Sequence, residues 1–401
     1  MLNERAIRKP NEINLMKNLN SLKLIPLILL SCASIFTSCK DDDDNVPEEP
    51  LKVELLKGKY FVCEGDPGKS NGRIEWMNKD FSRRNPDIYK EANNEVLGGR
   101  IMSFKVVDTL GFIVLNNPSK VEVVHMRDFT HVHTIKNLGH PNDVVSAGGD
   151  KVYISNGNGV HEKDTIYVFD YKSMNIVKEI PVGKGPGRMS YNYGAVFVAN
   201  HGGVEINDIV TILDCEKDEN EGTIEVYEQP IDVVVYRNSL WVLCKGTPVY
   251  SEESEVTYKG AALTRISLVG NHNDYPTVIP IKGFHTNATN LLEHGYGSVY
   301  CAANILCCYN AYNGEYEDGI AVGAFYGVAI GSGPEPEHYV SNVETGRVDV
   351  YRYLDTEKEE KLTIDVGPFV NSVVFVYADF EEGANSDNSC GYYNEYGGYG
   401  Y

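Results

Sequence analysis

The residues of this chain whose types and spacing favour chemistry favour binding over bond-breaking. Polar groups recur where apolar, alternating runs stop: Glu64, Asn116-Asn117, Asn156, Asn200-His201, Lys245, Asn304 and Asn342. A second set stands where each repeating unit opens: Arg100, Asn142, Arg188, Asn287, Tyr326, Phe369 and Asn371. Amides, guanidinium groups and amphipathic aromatics suit a large, flat, amide-decorated ligand, and they suit a protein surface as well. Asparagine at such corners also has a plain backbone use, because it tolerates positive φ and bonds its own turn. Tyr250 joins the candidates from the longest insertion, Gly246–Gly260, since a long loop on a rigid scaffold is a common binding element. The candidate ligand residues are therefore Arg100, Asn117, Asn142, Arg188, His201, Tyr250, Asn287, Tyr326, Phe369 and Asn371.

Catalytic patterns are missing. The chain has no nucleophile elbow, metalloprotease helix, phosphate loop or paired-carboxylate motif, so we expect a non-enzyme with no cofactor of its own. His131 and His133 lie two apart on one strand and face the same way, but no third ligand is near in sequence, and no metal site is expected. The 9 cysteines show no zinc spacing, and most read as small buried apolar groups. Cys307 and Cys308 must point to opposite faces of a strand and pair poorly with each other; one disulfide elsewhere is allowed, its partners unspecified. With 36 Lys+Arg against 57 Asp+Glu, the net charge of -21 repels phosphate backbones and excludes a nucleic-acid partner.

The N-terminus reads as an address and an anchor. Lys17 and Lys23 precede the apolar run Leu24–Phe36, which is too short to span a bilayer but long enough for the core of a secretory signal. Ile35-Phe36-Thr37-Ser38-Cys39 then resembles a bacterial lipoprotein signal, in which the cysteine becomes the lipid-modified first residue. Leu29-Leu30-Ser31-Cys32 is a competing box, but it would leave Ala33–Phe36 exposed on the mature chain. Residues 1–38 are thus the expected signal and 39–56 an acidic linker after lipidated Cys39, with Met1 and Met16 as alternative starts. Contact with the membrane is expected through acyl chains only.

The elements that must position the candidates form a repeat. Pro141, Pro186 and Pro230 lie 45 and 44 residues apart, and each opens a strand-like stretch. Each is followed by a β-rich run (Lys151–Asn156, Ala195–Asn200, Ser239–Lys245), then an alternating one (Thr165–Tyr171, Ile209–Cys215, Ala262–Leu268), then a fourth. Such punctuation is the mark of antiparallel β structure. Residues 59–95 supply a second, third and fourth strand without a first, while Val370–Tyr377 is a first strand with nothing behind it. Joining the two completes a seventh unit and removes the open sheet edge. The expected fold is all-β: a seven-bladed β-propeller of four-stranded antiparallel blades over residues 57–379, with a flexible Tyr/Gly-rich tail at 380–401.

Ile180-Pro181-Val182-Gly183-Lys184-Gly185-Pro186 followed by Val196-Phe197-Val198-Ala199-Asn200 is similar to the YVTN-type repeat of YncE-like seven-bladed propellers, and Ile364-Asp365-Val366-Gly367-Pro368 repeats its first half. Phe61-Val62-Cys63-Glu64-Gly65, leading through Asn71-Gly72-Arg73-Ile74, resembles the start of surface lipoproteins of that class in gut Bacteroidota. Those with a known role are cobalamin-capture propellers seated on a TonB-dependent outer-membrane transporter. The resemblance implies a lipid-anchored, surface-exposed outer-membrane protein that captures a corrinoid as ligand and hands it to such a transporter. Two further functions stay open: a protein- or glycan-binding scaffold, suggested by the acidic body and the 246–260 loop, and a propeller hydrolase or lyase, suggested by fold precedent.

Overall fold

The computed structural model describes residues 52–381 apart from 67, 161–163, 204, 251–255, 270–275, 282–288, 295–296, 303–304, 323–324, 332–336, 343–345 and 355–357, and the backbone of 392–393. The expected signal, Cys39, Asn287 and Asn304 lie outside the described residues.

Seven sheets stand around one axis, each with four strands paired antiparallel. Blade 2 holds Arg100–Val107, Leu110–Asn117, Lys120–His125 and His131–Ile135; blade 3 holds Pro141–Ser146, Lys151–Asn156, Thr165–Asp170 and Asn175–Pro181. Blade 4 holds Pro186–Asn192, Ala195–Gly202, Ile206–Asp214 and Glu219–Glu225. Blade 5 is Pro230–Tyr236, Ser239–Cys244, Ala262–Ser267 and Thr277–Pro280, with a hairpin of Thr247–Tyr250 and Val256–Lys259 between its second and third strands. Blade 6 is Asn290–His294, Ser298–Ala302, Ile305–Asn310 and Tyr316–Val322, and blade 7 is Phe325–Ile330, Glu337–Asn342, Arg347–Leu354 and Lys358–Asp365.

Blade 1 is assembled from both ends of the chain. Val370–Val376 pairs antiparallel with Gly58–Cys63, placing Val376 opposite Gly58 and Val373 opposite Phe61. Arg73–Met77 and Arg84–Asn85 complete the sheet. The fourth strand is only two residues long because Pro86 cannot extend the ladder, and Asp87 caps a short helix, Ile88–Asn93, by accepting from Lys90 N at 3.1 Å. Pairing runs past residue 379: Phe380–Glu381 is antiparallel to Lys52–Val53, and Tyr392–Tyr393 lies parallel to Phe375–Val376.

The core lies between blades. Second strands such as Gly58–Cys63 and Ser239–Cys244 are buried throughout, whereas the outer strand Asn175–Pro181 is almost wholly exposed. A strand covered on both faces by neighbouring blades needs an unbroken apolar run; an outer strand does not. The closing interface packs like the others, with Phe61, Tyr339 and Phe375 in one cluster. A buried lysine lies at its edge. Lys59 Nζ sits 3.6 Å from the Phe81 ring centre, donates to Lys79 O at 2.8 Å and pairs with Glu337 at 3.2 Å.

One irregularity repeats. Where the first strand begins, the register slips in every blade except blade 6. Asn142, Ile231, Tyr326 and Asn371 are the residues skipped in blades 3, 5, 7 and 1, and Arg188 lies within the slip of blade 4. A β-bulge leaves its extra residue out of the ladder and re-aims the side chain. Four residues chosen from sequence therefore occupy positions that the backbone releases from pairing.

Candidate functional site

The site is built where the ring closes. Glu64 follows the second strand of blade 1, and its two carboxylate oxygens are taken by different neighbours. Arg100 Nε, from the start of blade 2, donates to Oε1, and the Tyr326 hydroxyl, from the bulge of blade 7, donates to Oε2. Phe369 stands just before the first strand of blade 1 in the left-handed region at φ 55°, a costly conformation for a bulky residue. Its carbonyl accepts Glu64 N at 3.0 Å, and its ring meets that of Tyr326 edge-on with centroids 5.2 Å apart. Asn371 Nδ2 crosses to Ile101 O at 2.9 Å and Met102 O at 3.3 Å, so the next residues in the chain tie blade 1 to blade 2. Asn117 is the register partner of Arg100 and is exposed beside it.

The electrostatics fix the state of this cluster. The Glu64 side chain is 7% exposed and that of Arg100 59%, so a buried carboxylate orients a guanidinium that faces solvent. Burial lowers the Arg100 pKa, but the charge and hydrogen bond of Glu64 outweigh it and hold the pKa above its ordinary value. Burial, then the Glu64 charge, pushes the Tyr326 phenol far up, so it remains a protonated donor. The group can bind an acceptor or an anion; it offers no unoccupied base.

Nearer the axis, Arg188 Nη2 donates to Met102 O at 3.2 Å, the carbonyl that Asn371 also uses, and Arg188 Nη1 is 3.6 Å from Asp143 Oδ1. Asp143 Oδ2 accepts Met189 N at 3.1 Å, and Asp232 Oδ2 accepts Leu291 N at 2.9 Å. Each aspartate thus latches its blade to the next. Burial raises the Asp232 carboxyl to about 6, with Arg188 opposing the shift. Sequence reasoning passed over both aspartates, although Pro141-Asn142-Asp143 and Pro230-Ile231-Asp232 place them identically in the repeat.

The remaining candidates stand apart from the cluster. Asn142 spends its Nδ2 on Gly157 O and Pro186 O, both at 2.8 Å. Asn156 Oδ1 accepts Gly139 N at 2.8 Å and His140 N at 2.9 Å, and Asn200 bridges Gly183 O at 2.7 Å and Thr211 Oγ1 at 2.7 Å. Asn156 and Asn200 thus hold the linkers that lead into blades 3 and 4, while Asn142 ties its own corner to the first strand of blade 4. The His201 imidazole, on blade 4, is held below its usual pKa by burial and then by Lys245. Tyr250 ends the first strand of the blade 5 hairpin, opposite Val256. Among the described residues, no group of three or more His, Cys, Asp or Glu side chains gathers as a metal site. A depression of about 550 Å³ lies away from this cluster, between the outer edges of blades 5 and 6, lined by Ile279, Pro280, Ile281, Tyr309, Glu315 and Tyr316.

No family model and no curated protein matches the chain. Solved structures do. A quinoprotein alcohol dehydrogenase-like protein from Bacteroides thetaiotaomicron aligns at 13% identity and TM-score 0.55 over 80% of this chain and 78% of its own. A candidate 6-phosphogluconolactonase from Bacteroides fragilis aligns at 10% identity and TM-score 0.55 over 84% of this chain and 100% of its own. At such identities the likeness is one of fold alone.

Proposed function

We propose that this chain is a capture propeller whose mouth at the closure seam holds a corrinoid and passes it to a TonB-dependent outer-membrane transporter. In this reading the protein is tethered to the cell surface through lipidated Cys39 and leaves its ligand chemically unchanged. One observation carries the reading: blades 7, 1 and 2 together present a solvent-facing guanidinium and an edge-on aromatic pair, oriented by one buried carboxylate. A corrinoid offers a broad apolar face, peripheral amides and an anionic phosphodiester, which match the aromatics, Asn117 and Arg100 in kind. The YVTN-type repeat and the opening Phe61–Gly65 motif support the same assignment by resemblance. The hairpin Thr247–Lys259, between the second and third strands of blade 5, is the element we assign to contact with the transporter.

The test is direct. Full-length protein is mixed with cyanocobalamin at micromolar concentration and gel-filtered, with ligand absorbance followed across the protein peak. Co-elution is expected. Absence of ligand from the peak removes the corrinoid assignment and leaves a protein or glycan as the occupant of the same face.

A further inference from the structure

Two thiols face one another inside blade 6. Ser298–Ala302 and Ile305–Asn310 pair in regular antiparallel register, with Cys301 directly opposite Cys307. Opposed residues of an antiparallel pair project to the same face with Cα atoms about 4.5–5.5 Å apart, within the range of about 4.4–6.8 Å that disulfides span. Both side chains are fully buried in one apolar cluster with Leu243, Leu263, Leu291 and Val299. The thiols also hydrogen-bond to each other, which raises the pKa of Cys301 and lowers that of Cys307.

The other described cysteines have different surroundings. Cys308 turns to the opposite face of the strand, packs near Tyr300 and Leu306, and donates to Glu317 Oε2 at 3.3 Å. Cys63, Cys215 and Cys244 belong to three separate clusters in other blades. Among the described residues, no cysteine is joined in a disulfide.

We propose that Cys301 and Cys307 form a disulfide when the chain folds under oxidising conditions, cross-linking the second and third strands of blade 6. Each thiol gives up a proton, the two sulfurs join, and the two electrons pass to a small-molecule disulfide such as oxidised glutathione, which leaves as two thiols. Because the pair is buried, the bond forms while blade 6 closes.

Full-length protein is refolded in glutathione buffers of stepped oxidised-to-reduced ratio, then alkylated in denaturant, cleaved with chymotrypsin and weighed. Peptides Cys301–Leu306 and Cys307–Tyr309 are expected joined and lighter by two hydrogens. Cys301→Ser should abolish the link and Cys308→Ser should retain it, which separates Cys307 from its neighbour. Reduction should lower the melting midpoint of the native sequence by about 2–4 °C and leave Cys301→Ser unmoved. The same peptide mapping on protein exported to a bacterial periplasm covers a failure to refold. Alkylation of both cysteines under the most oxidising condition, or loss of the link in Cys308→Ser, overturns the proposal.

Discussion

The closure seam and the corners of blades 3 and 4 are built from the same part of the repeat and put it to different uses. In blades 3 and 4, Asn156 and Asn200 lie opposite Pro141 and Pro186, the first residues of their blades' first strands, and their amides are consumed by the linkers at Gly139–His140 and Gly183. At the seam, Asn117 occupies the equivalent register position yet is exposed, and Glu64 holds side chains from two other blades instead of a linker. Polar residues that look alike in sequence thus divide into those saturated by backbone and those that present groups outward. Where the repeat departs from its own rule, a surface becomes available for a ligand.

The comparison breaks most readily at the scaffold side. Asn200→Leu removes the bridge to Gly183 and Thr211 and leaves buried polar atoms unpaired, which should cost about 2–4 kcal/mol of stability by denaturant titration. Ligand affinity of the surviving folded protein should not change. Weakened binding at full occupancy of the folded state would mean that the corner belongs to the site.

Arg100→Met tests the opposite case. It leaves the buried Glu64 carboxylate with the Tyr326 hydroxyl alone, so stability should fall by about 1–3 kcal/mol. Affinity for cyanocobalamin in equilibrium dialysis should fall about tenfold to a hundredfold, as for loss of one charge-assisted contact. Glu64→Gln should weaken binding less, because the amide still accepts one hydrogen bond while orienting the guanidinium poorly. Equal affinity in both variants would move the site away from the seam.

These contrasts also mark what the chain made legible. Seven blades could be counted because Pro141, Pro186 and Pro230 stamp a period, and the ring could be closed because residues 59–95 lack a first strand. The bulges could not be seen, since each falls at the first residues of its strand and leaves the apolar alternation of the rest of that strand untouched. Nor could sequence say that the Asn156 amide is consumed, because its partners Gly139 and His140 belong to a linker folded back from blade 2. Glu64 was visible as a corner, but its role needs Arg100 and Tyr326, the latter 262 residues away. The candidate site arises from contacts between blades, and the repeat pattern describes blades singly.

The smallest expected effect lies at the axis, where Asp232 latches blade 5 to blade 6 while carrying a carboxyl raised to about 6. The shift comes first from burial, which disfavours the anion, and Arg188 and Lys105 only partly offset it. An acid whose folded pKa lies above its unfolded value of 3.8 binds its proton more tightly when folded. Stability from this group is therefore greatest at low pH and is lost as pH rises from about 4 through 6. His201 works in the other direction in a neighbouring window, since its lowered pKa makes acidification favour the unfolded chain. The native profile sums the two, so the informative quantity is the difference between native protein and Asp232→Asn, which keeps an oxygen to accept Leu291 N. That difference should favour the variant by about 1–2 kcal/mol at pH 7 and shrink towards pH 4. A flat difference across this range would mean that the axial carboxylate is charged at no cost, and that the axis is as open to water as the exposed guanidinium at the seam.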